Sequence, residues 1–221
     1  MPRLEAVLFD HDGTLVDSEL AHYQMWAQVL ARHGVALTED EYMLRHAGMP
    51  TPANAADFAA RHRIDGGAAE LTRAKMAATR EFLSREAFPM RPGARAALER
   101  FAAMGLRLAV VTGAGRHGVE SSLAAHGIRD CFETVVSGDD VSRSKPAPEC
   151  YLLALEHLGL PAGATVAIED TSHGAAAAMG AGIETLAVPT ALSRDHDFTG
   201  TVGVFPGLEP AMHWVIARAA R

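Results

Sequence analysis

The feature that most constrains this chain is a rhythm of short apolar runs that stop at turn-forming or acidic residues, with helix-length segments between them. Leu4 to Phe9 (LEAVLF) halts at Asp10-His11-Asp12-Gly13, LRLAVV (106 to 111) at Thr112-Gly113, and ETVVSG (133 to 138) at Asp139-Asp140. ATVAIE (164 to 169) halts at Asp170-Thr171 and IETLAV (183 to 188) at Pro189. Runs of this length and composition read as buried strands. Gly93 to Met104, His117 to His126, Pro148 to Leu158 and His173 to Ala181 read as the helices between them. Strand and helix therefore alternate from 90 to 190, which predicts an α/β fold: a doubly wound parallel sheet covered on both faces.

Residues 17 to 88 break the rhythm. They hold no convincing strand, and stretches such as ELAHYQMWAQVLARHG and AAELTRAKMAATREFLSRE are helical in pattern. An all-helical insertion thus follows the first strand and ends before the turn formers Pro89, Pro92 and Gly93. The expected domains are an α/β core (1–15 and 90–221) and a helical cap (16–89), with two chain crossings that suit a rocking lid.

Charge and composition exclude several classes. A net charge of -7 argues against nucleic-acid binding, which needs a surplus of Lys and Arg on one face. No run of eighteen apolar residues exists to span a membrane, and the first ten residues contain no signal-peptide stretch, so a cytoplasmic location is expected. Cys131 and Cys150 form neither a disulfide framework nor a Cys-x-x-Cys site. Eleven histidines show no zinc-binding spacing; His173, opening a helix beside Asp170, reads as a capping or packing residue.

In an open parallel sheet, ligands bind beyond the carboxyl ends of the strands where the strand order reverses. Asp10, Asp12, Thr112, Gly113, Asp139, Asp140, Glu169 and Asp170 all stand at such ends, and Lys145 in SKPAP follows the third strand. So many carboxylates at one rim call for a hard cation with oxygen ligands. Magnesium suits the site best, because it binds through one or two carboxylates and takes its other ligands from water and substrate phosphate.

One lookalike competes. Gly113-Ala-Gly115-Arg-His-Gly118 matches a dinucleotide-binding glycine pattern and would suggest an NAD-dependent oxidoreductase. It lies deep in the chain, however, and leaves Asp10, Asp12, Lys145 and Asp170 without a purpose. The glycines are better read as letting backbone amides approach a phosphate at a helix N-terminus, with Arg116 adding charge. A phosphoacceptor signalling domain also uses Asp on a parallel sheet, but has about half this length and no helical insertion. A P-loop is absent.

Taken together, FDHDGTLVDS, VVTG, SKPAPECY and AIEDTSHG resemble, in order and spacing, the four motifs of the haloacid dehalogenase-like hydrolases. The resemblance is to the helical-cap branch of beta-phosphoglucomutases, phosphoglycolate phosphatases and CbbY-type sugar phosphatases, and covers nearly the whole chain. It implies that Asp10 attacks phosphorus to form an aspartyl-phosphate. Asp12 protonates the leaving oxygen and later activates water, while its backbone carbonyl joins Asp10, Asp170 and Glu169 around Mg2+. Thr112, the Gly113 amide and Lys145 cradle the transferring phosphoryl group.

His11 departs from the family pattern, in which an apolar residue more often separates the two aspartates; it reads as a packed structural histidine. In the cap, His22 and Trp26 share one helical face, and the resemblance directs His22 to the substrate; Trp26 reads equally as cap core. Mutases of the branch carry a basic residue after a cap glycine. Gly48-Met-Pro-Thr51 has none, although Arg45 is near, so hydrolysis is favoured over a sugar phosphomutase activity. The expected substrate is a small phosphorylated metabolite, most simply a sugar phosphate, handled by a monomer or small homo-oligomer.

Overall fold

The computed structural model describes residues 2–221. The five apolar runs form the strands Ala6–Phe9 (β1), Arg107–Val111 (β2), Thr134–Val136 (β3), Thr165–Glu169 (β4) and Glu184–Ala187 (β5). A two-residue strand, Gly203–Val204 (β6), lies outside the expected set. All pair in parallel in the order β3-β2-β1-β4-β5-β6. Phe9 stands level with Val110 on one side and Ile168 on the other. The order reverses at β1, so the crevice beyond the ends of β1 and β4 is the position where such sheets bind ligands.

Every residue of β1 and β4 is buried, with no polar alternation, as a sheet covered on both faces requires. Phe9 anchors one side through ring contacts with Phe101 and Phe132 at 6.1 and 6.4 Å, each worth roughly 0.5–1.5 kcal/mol beyond burial.

The chain divides into two compact units, one comprising Ser18–Phe88 and the other the residues up to Asp17 together with Pro89–Arg221. The first is helical: Glu19–Ala31 (α1), Glu39–Arg45 (α2), Thr51–His62 (α3) and Gly67–Leu83 (α4). Thr38 caps α2 by accepting from the Glu41 amide at 3.2 Å, and acidic residues fill that first turn, where the helix dipole favours them. Trp26, Leu30, Tyr42, Phe58 and Leu71 form its core. Trp26 therefore belongs to the core of this helical unit, its ring tilted against that of Phe58 with centroids 5.0 Å apart.

Around the sheet lie Ala94–Ala103 (α5), Arg116–Ala125 (α6), Glu149–Leu158 (α7), Ser172–Gly180 (α8) and Leu208–Ala219 (α9). Ala177 and Ala178 on α8 and Tyr151 on α7 pack with Leu8, Val111 and Ala167 of the strands. Small side chains on α8 let its backbone approach the sheet. Where the chain leaves and re-enters this unit, the two passes are stitched together: the Asp17 amide donates to Pro89 O at 2.8 Å and the Arg91 amide to Leu15 O at 2.9 Å. No described helix is long and apolar enough to cross a membrane.

Candidate active site

Asp10 is the first residue past β1, and its amide still donates to Ile168 O of β4 at 3.0 Å. Its carboxylate is thus held by the sheet itself. Glu169 closes β4 and Asp170 follows it. Carboxylate oxygens of Asp10, Glu169 and Asp170 all lie within 4.8 Å of one another. Two glycines make this crowding possible. At Gly13, φ is +83° and a Cβ would stand 2.1 Å from Asp170 Oδ2; at Gly174 it would stand 1.9 Å from Glu169 Oε2. Any side chain at either position displaces a carboxylate.

Lys145 ties the strand ends together. Its Nζ donates to Asp10 Oδ1 at 2.7 Å, to the Val111 carbonyl of β2 at 2.8 Å and to Glu169 Oε1 at 2.6 Å. Three donors meet three acceptors from three strand ends, so the ammonium orients the Asp10 carboxylate as well as neutralising part of its charge. Glu169 Oε1 also accepts from the Tyr151 hydroxyl at 2.6 Å, while its Oε2 is buried without a hydrogen bond.

The balance of charge is negative. Burial pushes the Asp10 pKa up to about 7 despite Lys145, and Asp170 is raised well above the usual carboxylate range by burial and by the charges of Asp10 and Glu169. Burial alone works against the Lys145 charge, but Asp10 and Glu169 overcome it and hold its pKa above the usual value. One ammonium does not neutralise three close carboxylates. An orphaned carboxylate oxygen, two carboxyls driven toward protonation and an all-oxygen donor set fit a hard divalent cation such as Mg2+.

Thr112 continues β2, its amide donating to Val136 O at 2.9 Å and its Oγ1 accepting from the Ala114 amide at 3.0 Å. The hydroxyl proton remains for an incoming oxygen. Gly113 sits in the same turn, against which Gly138 packs so closely that a Cβ there would stand 2.4 Å from Gly113 O. Asp12 is partly exposed, and Nδ1 of buried His11 stands 3.2 Å from its Oδ2.

Arg116 is placed otherwise than expected. Its guanidinium binds Asp140, the Val135 carbonyl at 2.9 Å and Glu120 at 3.3 Å, and its amide donates to Asp139 at 2.8 Å. The charge expected at the phosphate instead fastens the ends of β2 and β3. His173 is exposed rather than capping; Thr171 caps α8 by accepting from the Gly174 amide at 3.1 Å, with His196 Nδ1 accepting from Ser172 at 3.3 Å. His22 belongs to the helical unit, with Nδ1 3.2 Å from Lys75 Nζ and its ring 5.2 Å from that of Phe88.

One contributor, Tyr151, escaped the sequence reading, and a second, Asp140, was placed at a strand end without its role. Tyr151 positions Glu169 from eighteen residues away, and its only linear signal is an aromatic one helical turn inside the segment after Lys145. Asp140 accepts from the Ser137 amide and hydroxyl at 2.8 and 2.7 Å, closing the turn after β3; an acid three residues beyond a serine is the visible sign.

A family model described as haloacid dehalogenase-like hydrolase matches residues 7–188. The CbbY protein of Rhodobacter capsulatus is 33% identical over 94% of this chain and 95% of its own length. The fructose-1-phosphate phosphatase YqaB of Escherichia coli is 31% identical over 84% of this chain and 97% of its own. The crystal structure of CbbY from Rhodobacter sphaeroides in complex with phosphate superposes with a TM-score of 0.82 at 30% identity, covering 92% of this chain and 94% of that one.

Proposed function

The chain belongs to the haloacid dehalogenase-like hydrolases and is a phosphoric monoester hydrolase; from that premise we propose that it is a Mg2+-dependent phosphatase of small sugar phosphates, working through an aspartyl-phosphate on Asp10. One observation carries the reading: a buried carboxylate at the point where the strand order reverses, gripped by Lys145 and faced by Asp170. Phosphatase-named relatives that match more than four-fifths of this chain support the substrate class.

The chemistry runs in two displacements. Asp10 attacks phosphorus as the ester P–O bond breaks, and Asp12 gives its proton to the departing oxygen. Water then attacks the aspartyl-phosphate, Asp12 takes a water proton, and Asp10 and inorganic phosphate are released. Lys145 aligns Asp10 for both steps, and the Thr112 hydroxyl and Gly113 amide meet the phosphoryl oxygens. Asp10 and Asp170, with Glu169 behind them and the Asp12 backbone carbonyl, are the groups that would hold Mg2+. Bound there, the ion supplies the positive charge that lets an anionic nucleophile approach an anionic phosphate.

Phosphate release should be screened over sugar phosphates, phosphoglycolate and nucleotides, with Mg2+ and with a chelator. Turnover on sugar phosphates that stops on chelation, and that Ca2+ inhibits rather than restores, is expected. Release that ignores the chelator would sink the metal reading. Conversion of glucose 1-phosphate to the 6-phosphate with a bisphosphate primer, without free phosphate, would point to a mutase instead.

A further inference from the structure

His11 is buried at 1% exposure between the Asp10 turn and α6. Its Nε2 lies 3.0 Å from Oγ of Ser122, a fully buried residue on α6. Its Nδ1 makes no hydrogen bond as it stands, yet it is 3.2 Å from Asp12 Oδ2. Neighbouring side chains on a strand point to opposite faces, but β1 ends at Phe9, and the turn that follows lets this consecutive pair meet. A buried imidazole nitrogen without a hydrogen bond carries its full desolvation penalty, and a small rotation of the Asp12 carboxyl relieves it.

We infer that His11, braced from behind by Ser122, is a positioning residue that sets the rotamer of the Asp12 carboxyl. The inference rests on the phosphatase reading, because it concerns the group that exchanges protons in both displacements. What the ring supplies is direction: it turns Oδ2 toward Nδ1 and so fixes where the other oxygen points. An apolar side chain of similar bulk fills the same space without aiming anything.

p-Nitrophenyl phosphate separates this role from a packing role, because nitrophenolate departs without needing a proton. Forming the aspartyl-phosphate from it is therefore indifferent to Asp12, whereas hydrolysing the aspartyl-phosphate is not. In His11→Met, kcat should fall about tenfold or more, a part of the ~10²–10⁴ that a placed acid or base contributes. kcat/KM should stay within about threefold of wild type, and rapid mixing should show a burst near one nitrophenolate per enzyme. His11→Asn, whose amide nitrogen takes the place of Nδ1, should restore most of kcat. Ser122→Ala should give the same split in smaller measure, and carries the test alone if His11→Met does not fold.

Unchanged kcat, a parallel fall in kcat and kcat/KM, or an Asn variant no better than Met would overturn the inference. Asp10→Asn keeps the two readings apart. If that variant still turns over, the aspartyl-phosphate falls and this inference falls with it. If it is dead while the His11 variants show no split, only the role of His11 is lost.

Discussion

At the strand ends of the sheet, burial raises the Asp10 carboxyl to a pKa of about 7, whereas inside the helical unit burial lowers His46 below its usual 6.5. Each environment disfavours the charged form, so the same physics moves an acid and a base in opposite directions. The surroundings differ in what they offer. Asp10 has Lys145 at 2.7 Å and a second and third carboxylate nearby, an arrangement that keeps charge inside. His46 is packed against Phe58, ring centroids 4.1 Å apart, and shares Nδ1 with Asn54 Oδ1 at 3.1 Å. Its nearest carboxylate, Asp57 at 3.8 Å from Nε2, is already paired with Arg61 at 2.7 Å. The strand ends concentrate charge, and the pocket around His46 does without it.

The sharpest way to probe the charged region is to remove its charge without changing its shape. Asp10→Asn should cut phosphate release to less than about a hundredth of wild type, since no amide replaces a carboxylate nucleophile, while far-UV circular dichroism stays native. Thermal stability should hold or rise, because a desolvated carboxylate is gone; a clear loss would mean that the Asp10–Lys145 pair stabilises the fold more than it costs.

In the apolar region, size matters instead. Phe58→Ala should cost about 3–5 kcal/mol through the cavity left beside Trp26 and His46. Amide exchange should quicken in α1, α3 and α4 while β1 and β4 keep their protection. Equal loss in both units would show that they unfold together.

Acid should separate the units further. In metal-free protein the raised Asp10 pKa stabilises fully below its usual 3.8 and is lost as pH climbs through about 7, on the order of 2–3 kcal/mol between pH 5 and 7. The lowered His46 pKa acts the other way: its contribution is present above 6.5 and lost as pH falls. Trp26 reports on the helical unit and Trp214 on the sheet unit, so single-tryptophan variants followed in urea at pH 5 and pH 7 should shift in opposite directions. Mg2+ should recover the sheet unit's loss at pH 7. The smallest effect belongs to Tyr151→Phe, which removes one hydrogen bond to Glu169. It should lower kcat severalfold and cost about 1 kcal/mol of stability.

The sheet was legible because β1 to β5 are apolar runs with clear stops. β6 was not, since Gly203 and two residues of pairing leave no period to read. Nor was α9, which buries Arg218 on Glu184 at 2.8 Å and so hides a polar residue in an apolar face. Strand-end position brought Asp10, Glu169, Asp170 and Lys145 into one group. Arg116 was misjudged because a cation opening a helix can face either way, and Asp140, far along the chain, decides the direction. Tyr151 stayed hidden for a similar reason: its partner is fixed by packing of α7 on the sheet, which no local pattern encodes. His11 is buried, but spacing alone could not bring its second nitrogen to Asp12.

The hydrogen bonds from Asp17 to Pro89 and from Arg91 to Leu15 have a consequence for how such a chain can change over time. Departure and return lie one backbone contact apart, so the distance to be bridged there does not depend on what hangs between them. Loops of any length, or a different module altogether, can be spliced in at that seam without moving a single strand. The strand-end carboxylates can stay fixed while the insertion is rewritten.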